Sequence, residues 1–371
     1  LIEPGMAAVT RGLKRALYRL VLRPTFRLED ELSACDDVIA AGPGSPRRIE
    51  IIVESMAVVG THRPMPGFPR SLPHVLSSAR GMRASLRETI DDRAQRPRPI
   101  GLAGRHQLEA FMRLAGVDLF GYTTIAPRLI FQGKAVRHAN VIVLAMEMDR
   151  ARMDNAPSPD TAVMVHETYD RLGFTANRIA RYLRARGYPA QAGHPLGGPV
   201  LYPPLAQAAG LGWLGRHGLL ITPEFGPRVR LAAVFTAIED LPDTSTDRHA
   251  WIGEFCRDCG KCLRTCPVRA IRDVPRREPG GRESCVDPSR CLPFFVRHDG
   301  CSICIARCPF HQRDHAWLRS RWQRHGGRAA RLRADPPPGF PGHLRAGQPP
   351  VAAGRSSVGC GLVAPDDDRT T

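Results

Sequence analysis

The stretch CRDCGKCLRTCP, residues 256–267, decides how this chain is read. Cys256, Cys259, Cys262 and Cys266 stand at C-x2-C-x2-C-x3-C, and Pro267 closes the run. Three thiols at i, i+3 and i+6 on a tight loop converge on three corners of a cubane. The fourth opens the next segment and points to a different centre. In this spacing the fourth cysteine ligates the other [4Fe–4S] cluster of a pair. It demands a partner motif, and CSICIARCP at 301–309 supplies Cys301, Cys304 and Cys308. One cluster then takes Cys256, Cys259, Cys262 and Cys308. The other takes Cys266, Cys301, Cys304 and an upstream thiol, either Cys291 (RCLPFF) or Cys285 (ESCVD). Cys291 is favoured, because the apolar LPFF after it can fold over a cluster and exclude water. Cys285 sits in a charged, glycine-rich loop.

Other uses of the cysteines fit less well. Paired zinc sites usually read C-x2-C twice, without the C-x3-C-P tail. Disulfides need an oxidising compartment, and no signal peptide is visible, so the expected location is cytoplasmic. Cys35 and Cys360 read as ordinary thiols. At 371 residues and 43% hydrophobic content the chain can hold two domains. No apolar run approaches the roughly 20 residues of a membrane span. The net charge of +17 invites a nucleic-acid partner. However, only Lys14, Lys134 and Lys261 are lysines, and arginine is enriched alongside Ala, Gly and Pro. That skew follows coding bias as readily as phosphate binding, so charge alone does not assign such a partner.

The rest of the chain is read as α+β. RGLKRALYRLVLRP (11–24) is a basic amphipathic helix, and proline-rich RPMPGFPRSLP (63–73) is loop or extended chain. From about 105 helices and strands mix. RHQLEAFMRLAG is a helix ended by Gly116, and NVIVLAMEM (140–148) is a strand buried on both faces. Residues 158–187 form one long helix or a broken pair, and PPLAQAAGLG is helical. Two strands follow within 218–236. The expected organisation is an N-terminal helical and loop region (1–104), an α/β domain (105–249), a cluster-bearing domain (250–325) and a disordered Arg/Pro/Gly-rich tail (326–371).

AGLGWLGRHGLLITPEFGPRVRLAAVFT (209–236), followed by the two cysteine motifs, resembles the family that joins reductive dehalogenases to epoxyqueuosine reductases. The resemblance covers about residues 105–315. It implies a nitroreductase-like α/β domain holding cobalamin, and a ferredoxin-like domain whose two [4Fe–4S] clusters reduce it. RCLPFF resembles the family's isolated cysteine segment, which supports Cys291. Gly210, Gly212, Trp213, Gly215, His217 and Gly218 become the expected cofactor-binding segment, since glycines permit close approach to a large flat ligand. No D-x-H-x2-G segment occurs, so the resemblance implies base-off cobalamin without a protein axial ligand. His166, His194 and His217 are read as polar loop or helix residues, not cobalt ligands.

The implied chemistry is reductive cleavage of a small organic substrate, with a protein acid supplying the proton. The resemblance implies that this acid is a tyrosine or a carboxylate on a helix before the glycine-rich segment, and on that pattern Tyr169 is the first candidate and Glu167 the second. Arg216 is the candidate cation beside them, and Tyr202 a pocket wall or alternate acid. A ferredoxin or flavodoxin is the expected electron donor. GWLGRHG and the sequence after it lean towards the dehalogenase side. The alternatives are epoxyqueuosine-type modification of tRNA, and a non-catalytic two-cluster electron carrier.

Overall fold

The computed structural model describes residues 23–48, 67–91, 96–277 and 283–325. Residues 11–22 of the expected basic helix and the tail from 326 lie outside them. A central antiparallel sheet organises the first part of the chain. Its strands are β1 (Leu119–Thr124), β2 (Asn140–Glu147), β3 (Ala190–Gly193) and β4 (Val229–Thr236), in the order β1-β2-β4-β3. β2 lies between two partners, pairing Leu144 with Phe120 on one side and with Ala232 on the other. Successive strand residues face opposite ways. Val141, Val143 and Ala145 therefore enter one core with Leu205 and Phe235. Ile142, Leu144 and Met146 enter the other with Leu172 and Ile179. The continuous apolar run thus marks a strand covered on both faces, in an antiparallel sheet.

Four helices cover this sheet: α1 (Phe68–Ile90), α2 (Gly101–Leu114), α3 (Pro159–Arg184) and α4 (Tyr202–Ala208). α3 is one unbroken helix. Ser158 caps it by accepting from the Thr161 N–H, and Pro159 occupies its first turn, where no N–H is needed. α1 corrects the sequence reading, because from Phe68 onward the proline-rich stretch is helical. One proline lies in the first turn, where it costs no hydrogen bond, and Pro73 follows shortly inside. α1 packs on α3 and β3, and the Asn177 amide donates to the Gly81 carbonyl at 2.8 Å. The region before 105 is thus part of the sheet's covering layer. The expected boundary at 104/105 also falls inside α2.

The cysteine-bearing module follows from α5 (Trp251–Cys259), with a hairpin of β5 (Ile271–Arg277) and β6 (Glu283–Val286). The chain leaving the glycine-rich segment turns against this module at Gly226. A Cβ there would sit 2.1 Å from the Phe310 carbonyl oxygen, and φ is +58°. Only glycine allows that approach in that conformation. His311 Nε2 meets Asp154 at 2.7 Å, and Arg150 donates to the Gln312 carbonyl at 3.2 Å. These contacts fasten module to sheet layer. Among the described residues no helix is long and apolar enough to cross a membrane.

Candidate iron–sulfur and reductase site

The eight motif cysteines separate into two groups. Burial raises the Cys308 thiol well above its ordinary range, and the charges of Cys256, Cys262 and Cys259 raise it further. Burial likewise pushes Cys256 up to about 12 and Cys262 up to about 11. In the second group, burial raises Cys304 well above normal, with Cys301, Cys262, Cys291 and Cys266 adding to it. Cys301 is pushed up to about 11 by burial, then by Cys291 and Cys266. Cys291 therefore stands with Cys266, Cys301 and Cys304, and Cys262 brings the two groups into mutual range. Cys285 is 2% exposed, disulfide-bonded, and in neither group. Thiols crowded this way in an apolar setting cannot all ionise unless something positive sits among them.

The first group lines a small chamber together with His217, Phe255, Lys261 and Phe310. Trp251, Phe255, Phe310 and Leu318 pack around Cys259 and Cys308 and exclude water. His217 Nδ1 accepts from the Leu219 N–H at 3.2 Å, and Nε2 is buried with no hydrogen-bond partner. An orphaned donor facing a chamber of thiols fits a sulfide-bearing cluster. In the second group, Cys304 packs against the buried cluster of Met148, Met153, Met164 and Ile305, which Val165 and Leu219 also join. Through Met164 that cluster links the thiols to α3.

The expected catalytic residues are distributed unevenly. Val165 lies one turn before Tyr169 on the same face of α3, and it packs against the same buried cluster as Cys304. Its hydroxyl makes no hydrogen bond among the described residues, and the Arg230 guanidinium lies 4.6 Å over its ring. Arg230 Nε is buried without a partner. Sequence reading missed Arg230. Its place in GPRVRL, at the mouth of β4 with Ala232 and Val234 on the same face, was the available signal. Glu167 is committed to the Arg152 guanidinium and lies 3.8 Å from His74 Nε2. Tyr202 is fixed in the core, its hydroxyl donating to the His194 carbonyl at 3.1 Å.

Arg216 is not the free cation that was expected. Its guanidinium is 4% exposed and donates to the carbonyls of Cys256, Arg257 and Asp273 and to the Asp273 carboxylate. Its planar fork ties the glycine-rich segment to the last turn of α5, which carries Cys256. The glycines also divide. A Cβ on Gly210 would strike the Thr244 carbonyl at 2.1 Å, and one on Gly212 the Ile221 carbonyl at 2.1 Å. Gly215 lies against the His217 ring, and Trp213 against Gly253. Backbone and side-chain packing therefore account for these four. Gly218 alone among the expected glycines lines the main cavity, with Arg216 and His217. This cavity of about 430 Å³ lies between Leu129, Leu201 and Leu214 on one side and the β5–β6 hairpin on the other. His166 Nδ1 bonds the Ala162 carbonyl at 2.8 Å. His194 is buried in the core, where desolvation lowers its pKa to about 4.

The fold and the two thiol groups define an iron–sulfur protein of the oxidoreductase kind. Residues 255–311 match the 4Fe-4S dicluster domain family. The chain is 35% identical over 211 residues to a tetrachloroethene reductive dehalogenase of Desulfitobacterium hafniense, covering 53% of this chain and 37% of that one. It is 29% identical over 202 residues to an epoxyqueuosine reductase of Gloeobacter violaceus, covering 48% and 59%. Among solved structures, a catabolic reductive dehalogenase in complex with 3-bromo-4-hydroxybenzoic acid superposes with a TM-score of 0.56 at 20% identity, covering 71% of this chain and 39% of that one. The chain is thus a homologue of reductive dehalogenases and epoxyqueuosine reductases. It spans little more than a third of the dehalogenase's length.

Proposed function

We propose that this chain is a corrinoid-dependent iron–sulfur reductase of the dehalogenase type, acting on a small organic substrate. The observation that carries this reading is the Tyr169–Arg230 pair, one turn along α3 from Val165, which packs against the same buried cluster as Cys304. A carrier that only relays electrons has no need of a phenol left without a hydrogen bond beneath a guanidinium.

Cys256, Cys259, Cys262 and Cys308 would hold one [4Fe–4S] cluster; Cys266, Cys291, Cys301 and Cys304 would hold the other. Cobalamin, when bound, supplies the low-potential metal centre that cleaves the carbon–leaving-group bond. The cavity faced by His217 and Gly218 suits part of such a ligand: its walls are largely apolar, and Gly44 and Gly218 leave it without side chains at positive φ. Its rim runs to Pro46, Arg277 and Glu283, next to segments outside the described residues. Tyr169 is the proton donor. The Arg230 guanidinium lies over its ring. Glu167 and Arg216 hold structure in place. For a halogenated substrate the balance is two electrons and one proton in, carbon–hydrogen bond formed, halide out. A ferredoxin or flavodoxin is the electron donor this reading calls for.

The test is anaerobic reconstitution of the full chain with iron, sulfide and cobalamin, followed by reduction in the presence of a bromohydroxybenzoate. About eight irons and one cobalt per chain with bromide release supports the reading. Eight irons with no corrinoid retained sinks it. Loss of epoxide from modified tRNA in a parallel reaction would transfer the assignment to the tRNA-modifying branch.

A further inference from the structure

His217 is a buried imidazole that the reaction above does not use. Its Nδ1 accepts from the Leu219 N–H, which leaves the proton on Nε2 in the neutral ring. Nε2 has no hydrogen-bond partner and almost no accessible surface. The ring borders both the 430 Å³ cavity and the chamber lined by Cys256, Cys259, Cys262 and Cys308. The neighbouring backbone is shaped to admit the imidazole, because a Cβ on Gly215 would lie 2.7 Å from His217 Cε1. Leaving a buried donor unpaired costs free energy, so such a group normally has a partner when the protein is complete.

We propose that His217 Nε2–H donates a hydrogen bond to a sulfur of the cluster held by Cys256, Cys259, Cys262 and Cys308, and so raises that cluster's potential. Hydrogen bonds to cluster sulfurs are among the determinants of potential. A donor stabilises the reduced cluster, whose sulfurs carry more negative charge. His217 is a positioning and tuning residue, and it takes no part in proton delivery to substrate. The inference rests on the assignment of those four cysteines as ligands.

The experiment compares the full chain with His217→Phe and His217→Gln, each reconstituted without oxygen, by EPR-monitored redox titration. Phe keeps the ring and removes the donor; Gln restores an N–H. With eight irons retained, Phe is expected to disfavour reduction of one cluster by about tenfold, a fall of about 59 mV for a one-electron couple. The other midpoint should stay in place, and Gln should recover part of the shift. Unmoved midpoints, or equal shifts of both clusters, would overturn the proposal. If either variant fails to hold iron, wild-type chain labelled with 15N-histidine decides. A weak nitrogen coupling to one reduced cluster in pulsed EPR is expected, and its absence overturns the inference. A wild-type iron content near four would instead fail the ligand assignment itself.

Discussion

The guanidinium carbon of Arg230 lies 4.6 Å from the centre of the Tyr169 ring. The two residues come from different elements, the start of β4 and the middle of α3, and meet at the edge of the core those elements share. Arg230 Nε is buried without a hydrogen-bond partner, and its guanidinium covers the Tyr169 ring.

Replacing Tyr169 with Phe should therefore reduce reductive turnover by about 10²–10⁴-fold, the usual contribution of a positioned acid. Both cluster EPR signals should stay intact. Arg230→Gln should lower turnover as well. Stopped-flow turnover checks the pair; full activity in Tyr169→Phe would remove it from the chemistry.

The ligand assignment separates two cysteines only six positions apart. Cys291→Ala should drop iron from about eight to about four per chain, because each site needs four thiolates. Cys285→Ala should leave the count unchanged. Iron analysis after desalting reads both, and the opposite pattern would exchange their roles.

Arg216→Lys should weaken the first cluster site while leaving the second. A lysine cannot reproduce the fork that reaches the Cys256, Arg257 and Asp273 carbonyls at once. Losing charge-assisted bonds to carbonyls costs about 1.5–3 kcal/mol each. Chelator challenge followed over time should strip about four irons faster than in the unmodified chain.

Gly173→Ala should destabilise the protein even though alanine is the better helix former by about 1 kcal/mol. The new methyl would fall 1.9 Å from the buried His194 Nε2, and overpacking of this kind costs about 1–3 kcal/mol. A denaturant midpoint below that of the unmodified chain is expected. An unchanged or higher midpoint would place His194 elsewhere.

Stability should also fall on mild acidification. Desolvation lowers the His194 pKa to about 4, below the unfolded value of about 6.5. The unfolded chain therefore takes up the proton first. The contribution is complete above about pH 6.5 and is lost as the pH falls toward 4. Between about pH 7.5 and 5.5 the loss from this one group is roughly 1 kcal/mol. His194→Gln should flatten the urea-midpoint profile by that amount; an unaltered slope would show that His194 is hydrated.

The amino-acid sequence alone determined the features that depend on local spacing. C-x2-C-x2-C-x3-C-P requires a second motif wherever the chain goes, and an eight-residue apolar strand such as Asn140–Glu147 must be covered on both faces. The helix start at Pro159 was legible from its cap and proline, whereas its unbroken run to Arg184 was not. Only the tertiary structure decided which residues meet across long separations. It committed Arg216 to three carbonyls and a carboxylate, attributed Gly210 and Gly212 to backbone packing, and brought Arg230 over Tyr169. The physical reason is that a guanidinium has the same local signature whether it is a structural clamp or an unpaired charge. Its role is fixed by what the fold puts within a few ångströms of it, and spacing along the chain does not carry that information.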